Sequence, residues 1–142
     1  MASYDSIRDT LKTGDIVIFS GKSAISNFIK LFSGGKWSHV GMVLRVKELD
    51  DAVLLWESTT LSNVVDVETQ SAAKGVQLVP MSQRVASYDG EIAVRALNKG
   101  VSAKMQRALA ECRKALSRKP YEAGEMELLR AAYDGIGVTL SS

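Results

Sequence analysis

His39 is the only histidine in this chain of 142 residues, and it stands in Trp37-Ser38-His39-Val40-Gly41-Met42-Val43-Leu44, where a polar turn runs into an apolar strand. An unperturbed imidazole takes up and returns a proton near neutral pH, which makes His39 a candidate general base. The competing reading is a hydrogen-bonded structural histidine. Two carboxylates occupy comparable places. Glu57 leaves the apolar run Val53-Leu54-Leu55-Trp56, where it either hydrogen-bonds one ring nitrogen and fixes the tautomer or is solvated at a strand end. Asp15 follows Gly14 in a tight turn, and side-chain to backbone hydrogen bonding accounts for it. Trp37, Ser38 and Tyr121 are candidate substrate-binding residues, although large aromatics more often belong to a core.

These residues need elements to hold them. Ser3 to Leu11 reads as a short helix, with Ile7 and Leu11 one turn apart and Gly14 beyond its end. Strands are expected at Ile16 to Phe19, Val40 to Val46, Val53 to Glu57, Val76 to Val79 and Glu91 to Leu97, separated by a loose segment from Ser58 to Lys74. Ser23 caps a helix whose apolar residues include Ile25, Phe28, Ile29 and Phe32 and which Gly34-Gly35 end. That helix either packs on the sheet, the favoured reading, or lies on a membrane surface with its flanking lysines. Two further helices are expected from Ser102 to Ser117 and from Gly124 to Tyr133. This succession predicts an α+β domain, a sheet covered by helices, spanning residues 1–142.

Thr13-Gly14-Asp15-Ile16-Val17-Ile18-Phe19, then Ser38-His39-Val40-Gly41, then Trp56-Glu57 fall in an order that resembles the circularly permuted NlpC/P60 branch of the papain-like thiol hydrolases. This YiiX/YaeF-like group is a cousin of the lecithin:retinol acyltransferase family. Gly75-Val76-Gln77-Leu78-Val79-Pro80, Ile92-Ala93-Val94-Arg95 and Lys119-Pro120-Tyr121-Glu122 resemble the group's later strands and its Pro-Tyr turn. The resemblance implies a papain-like antiparallel sheet covered by helices, with His39 as base, Glu57 orienting it and a cysteine as nucleophile. It implies hydrolysis of amides or esters, or acyl transfer, with small peptides or acyl lipids as substrates and no cofactor. The alternative is an inactive binding module that keeps the cleft, with a lipid or membrane surface as its partner.

The group carries its nucleophile on a helix after the Pro-Tyr turn, so the resemblance places that cysteine beyond Ser142. Cys112 does not fit the role. Met105, Ala108, Leu109, Cys112 and Leu116 recur at helical spacing, which predicts Cys112 on a buried stripe, where a thiol behaves as a small hydrophobe.

Composition narrows the remaining classes. With 46% hydrophobic and 24% charged residues the chain can bury one core. The 18 basic and 16 acidic side chains are interspersed, and aromatics are only 6%, which argues against a nucleic-acid face. One histidine and one cysteine cannot close a zinc site, so no metal is expected. The single cysteine suits a reducing compartment, and the N-terminus carries charge where a signal peptide needs an apolar core. Both point to the cytoplasm.

Overall fold

The computed structural model describes residues 3–22, 27 and 34–116. The N-terminal segment opens with α1 (Tyr4–Ile7), capped by the Ser3 hydroxyl, and continues as a single 3-10 turn over Arg8–Thr10. Five strands follow: β1 (Ile16–Gly21), β2 (His39–Val46), β3 (Ala52–Thr59), β4 (Gly75–Pro80) and β5 (Gly90–Arg95). Helix α2 (Met81–Ser87) lies between β4 and β5, and α3 (Ala103–Leu116) comes after β5. The strands form one antiparallel sheet in the order β4-β3-β2-β1-β5, the α+β architecture expected.

Alternation along the strands gives the sheet two different faces. Val17, Phe19, Val43, Val53, Leu55 and Val79 share one face and pack with Leu11, Val64 and Met81 into the larger core. Leu44, Leu54 and Leu78 lie on the other, flanked by Met42 and Trp56, and meet α3 through Leu109. His39 and Glu57 belong to the first face, because Phe19 pairs with His39 and Gly41 pairs with Glu57.

Three local expectations are corrected. The first helix is shorter than Ser3 to Leu11, because the Arg45 guanidinium takes the Arg8 and Leu11 carbonyls, both at 2.7 Å, and turns the chain toward the sheet. The segment from Ser58 to Lys74 is not loose: β3 runs on to Thr59, and the buried Asp66 pins the loop beyond it. The Asp66 carboxylate accepts from the backbone of Glu68 at 2.7 Å, Thr69 at 2.9 Å and, across to β4, Leu78 at 2.8 Å. Cys112 is exposed instead of buried. No residue of α3 is buried, and Met105 is 58% exposed, because this helix touches the sheet with Leu109 and ties to Glu68 through Arg113 at 3.0 Å. Its apolar spacing is real, but only one edge of the stripe meets the sheet. Helix α2 has no counterpart among the expected elements. The helix read over residues 23–33, apart from Asn27, and the one read from Gly124 to Tyr133 lie outside the described residues, as does Tyr121.

Asp15 carries the structural role its turn indicates. It is 1% exposed; one carboxylate oxygen accepts from the Lys12 backbone at 2.9 Å and the other from Leu97 at 3.0 Å, joining the entry of β1 to the exit of β5. Asp15→Ala strands two backbone N–H donors and should cost about 3 kcal/mol in denaturant unfolding. Cys112→Ala should leave the thermal midpoint within about 2 °C, the shift of a surface change under ~0.5 kcal/mol. A thiol reagent should label Cys112 in the folded protein without unfolding.

Candidate active site

The site begins with a missing side chain. On β2, His39 and Val43 point to the larger core and Gly41 lies between them, directly opposite Glu57 on β3. A methyl group at Gly41 would sit 2.7 Å from a terminal carbon of Leu55 and 3.2 Å from the Trp56 carbonyl oxygen. The glycine of the Ser-His-Val-Gly segment therefore lets β3 side chains close over β2, and Glu57 reaches diagonally to His39. The His39 Nε2 to Glu57 Oε1 distance is 2.8 Å. Since an ionised carboxylate only accepts, Nε2 donates. The second ring nitrogen, Nδ1, has no hydrogen-bond partner among the described residues.

The pair is buried unequally. The Glu57 side chain is fully enclosed while the imidazole keeps 15% exposure. Phe19 packs against the ring with centroids 5.0 Å apart, and Tyr88 packs edge-on to Phe19 at 4.9 Å.

Glu57 has a second partner that sequence reasoning missed. Arg84, on α2, is completely buried and donates from Nε to Glu57 Oε2 at 2.9 Å. Its Nη1 donates to Asn63 Oδ1 at 2.9 Å. Gln77, with its amide oriented to satisfy both neighbours, accepts from Nη2 at 2.8 Å and donates to the Ala73 carbonyl at 3.2 Å. An arginine in a seven-residue segment reads as surface in a sequence; the one signal that could have found it is that a buried Glu57 demands a cation.

The other predicted residues sit at the rim. Ser38 is turned to β1: its backbone N–H donates to the Phe19 carbonyl at 2.8 Å, and its hydroxyl accepts from the Gly21 N–H at 3.2 Å. Trp37 is half-buried with the Lys36 ammonium 5.0 Å above its ring. A cavity of about 520 Å³ opens next to Ser38 and His39, lined chiefly by Ile16, Val40, Met42, Trp56, Val76 and Leu116. Most of these belong to the face opposite Glu57, so it is largely an apolar recess on that face, bordered by His39, Gly41 and Glu57.

The strand-borne His39, tied to the buried Glu57, thus stands at one end of an antiparallel sheet. By comparison with family profiles the chain belongs to the C92 family of permuted papain-like amidases, YaeF/YiiX, whose profile matches residues 10–131. Among solved structures, the metalloprotein yiiX from Escherichia coli O157:H7 has a similar fold, with a TM-score of 0.57 and 23% sequence identity. The similarity covers 88% of this chain and 66% of that one, so this chain spans just under two thirds of its length. Among curated proteins no match was found.

Glu57 and Arg84 should prove strongly coupled. Glu57→Gln leaves a buried guanidinium without its counter-charge and Arg84→Met leaves a buried carboxylate, each at a cost of roughly 3–5 kcal/mol. A solvated strand-end glutamate, the alternative open to the sequence, would change stability little on the same substitution. The double variant should lose at least ~1 kcal/mol less than the sum of the two, measured as a double-mutant cycle in denaturant.

Proposed function

We propose that this protein hydrolyses small amides or esters through a cysteine thiolate, with His39 as the base and Glu57 as the group that orients it. The observation that carries this reading is the single 2.8 Å bond between His39 Nε2 and Glu57. With Nε2 committed as a donor, the neutral ring presents Nδ1 as its acceptor. Nδ1 draws the thiol proton, the thiolate attacks the acyl carbon, and the imidazolium returns that proton to the leaving group. Water then splits the acyl-enzyme with His39 again as base.

Cys112 is not the nucleophile in this reading. It is exposed on α3, which meets the sheet through Leu109 on the face opposite His39. The thiolate comes from sequence following these 142 residues, as the family resemblance implies. Trp37 and Tyr121 are proposed walls of the substrate cleft, Ser38 its third contact, and a small peptide or acyl lipid the substrate. The cytoplasm is the proposed compartment; among the described residues no helix is long and apolar enough to cross a membrane.

The yiiX protein is called a metalloprotein. The described residues here do not fit a metal ion. No three His, Cys, Asp or Glu side chains converge among them, and both oxygens of Glu57 are already engaged by His39 and Arg84. No step of the proposed reaction runs through a metal.

The test uses protein expressed from the whole natural reading frame. A small alkylating agent at mildly acidic pH should label one cysteine other than Cys112, under conditions where an ordinary thiol of pKa ~8.5 hardly reacts. His39→Ala should slow that labelling and lower amide turnover by about 10³-fold or more, and Glu57→Gln should lower turnover at least ~10-fold. Equal labelling rates with and without His39 would overturn the assignment of the base. A native protein with no turnover on amides or esters would be the binding module instead.

A further inference from the structure

Arg84 is an expensive residue in its position. A guanidinium with no solvent exposure has given up its hydration, and a well-packed apolar side chain of similar volume commonly stabilises a fold as well or better. Every part of the group is nevertheless engaged. Nε holds Glu57 Oε2 at 2.9 Å, Nη1 holds Asn63 at 2.9 Å and Nη2 holds Gln77 at 2.8 Å. These three partners come from β3, from the loop after it and from β4, so the arginine can neither swing nor slide. The carboxylate it grips has one oxygen left, and that oxygen faces His39 Nε2.

We infer that Arg84 is a positioning residue for the imidazole. By fixing Oε2, it aims Oε1 at Nε2, so that the ring keeps its proton there and leaves Nδ1 bare. Asn63 serves the same end one step further out, by holding the guanidinium. The consequence for catalysis rests on the hydrolase reading; the positioning itself is visible on the ring. A carboxylate released from Arg84 rotates about its terminal torsion, and the His39 N–H then spends more time open to water.

His39 is the sole histidine, so ¹⁵N-histidine labelling of the 142-residue protein gives one imidazole whose Nε2–H resonance needs no assignment by mutation. In the parent its exchange with water, at fixed pH and temperature, should be slow enough to follow. Arg84→Lys keeps the charge but not the planar fork that reaches three partners, and should speed exchange at least ~10-fold. Asn63→Ala should speed it by a smaller factor, about 3-fold, the loss of one anchor. Met81→Ala is the control. It empties a core position on the same helix, should lower the thermal midpoint at least as far, and should leave the exchange rate at the parent value. A folded Arg84→Lys protein with parental exchange, or a Met81→Ala protein that exchanges as fast as Arg84→Lys, would sink the inference. If Arg84→Lys fails to fold, Asn63→Ala decides, and an unchanged rate there is equally fatal. Turnover is scored separately: its independence of His39 defeats the hydrolase reading and leaves this exchange pattern standing.

Discussion

The Glu57 carboxylate is a negative charge with no access to water, and much of the protein is arranged to make that tolerable. A buried ion survives only if it is paired and its lone pairs are filled. One oxygen is filled from β2 by His39 and the other from α2 by Arg84. Each partner brings its own requirements. On the His39 side, β3 packs closely over β2 at Gly41, where a side chain would meet Leu55 and the Trp56 carbonyl, and Arg84 is itself acceptable inside because Asn63 and Gln77 take its remaining donors. The loop after β3 must therefore be held, and Asp66 holds it by stitching it to Leu78 on β4. Register, loop and helix are consequences of the same electrostatic constraint.

The same constraint decides which features are legible in the sequence. The strands were legible because apolar runs such as Val53-Leu54-Leu55 and Val76 to Val79 are bounded by turn residues, and their observed ends differ by one or two positions from the expected ones. His39 and Glu57 stood out because each is a polar residue at the rim of such a run, and the structure brings them into contact. Asp15 was legible from its glycine. Arg84 was hidden for a physical reason: Met81–Ser87 is under two turns long, too short for periodicity to declare itself, and an isolated arginine has a strong prior for the surface. Cys112 misled in the opposite direction. Helical spacing fixes which side chains share a stripe, but how much of the stripe is covered depends on how closely the helix approaches the sheet, which is a tertiary fact. Asp66 is likewise hidden in the sequence, since its decisive bond is to a strand twelve residues away.

The division of the sheet into two faces also bears on chemistry. His39, Glu57 and Arg84 work on the face that carries the larger core, whereas α3 and the apolar recess beside Met42 and Trp56 belong to the other. His39 sits at the first residue of β2, the edge where the two faces meet. The imidazole there keeps 15% exposure while Glu57 behind it is fully enclosed.

Charge accounting shows why a full ion pair behind the histidine suits proton transfer better than a lone carboxylate. With the imidazole neutral, Glu57 and Arg84 cancel, and the buried part of the site carries no net charge. A lone carboxylate at this depth would have no counter-charge, whereas Arg84 supplies one from Nε to Oε2 at 2.9 Å. When His39 accepts a proton, the cluster gains one positive charge, and that charge resides on its one partly exposed member. A proton on His39 therefore strands no unpaired charge in the core, and the cost of burying Arg84 is met once, at folding.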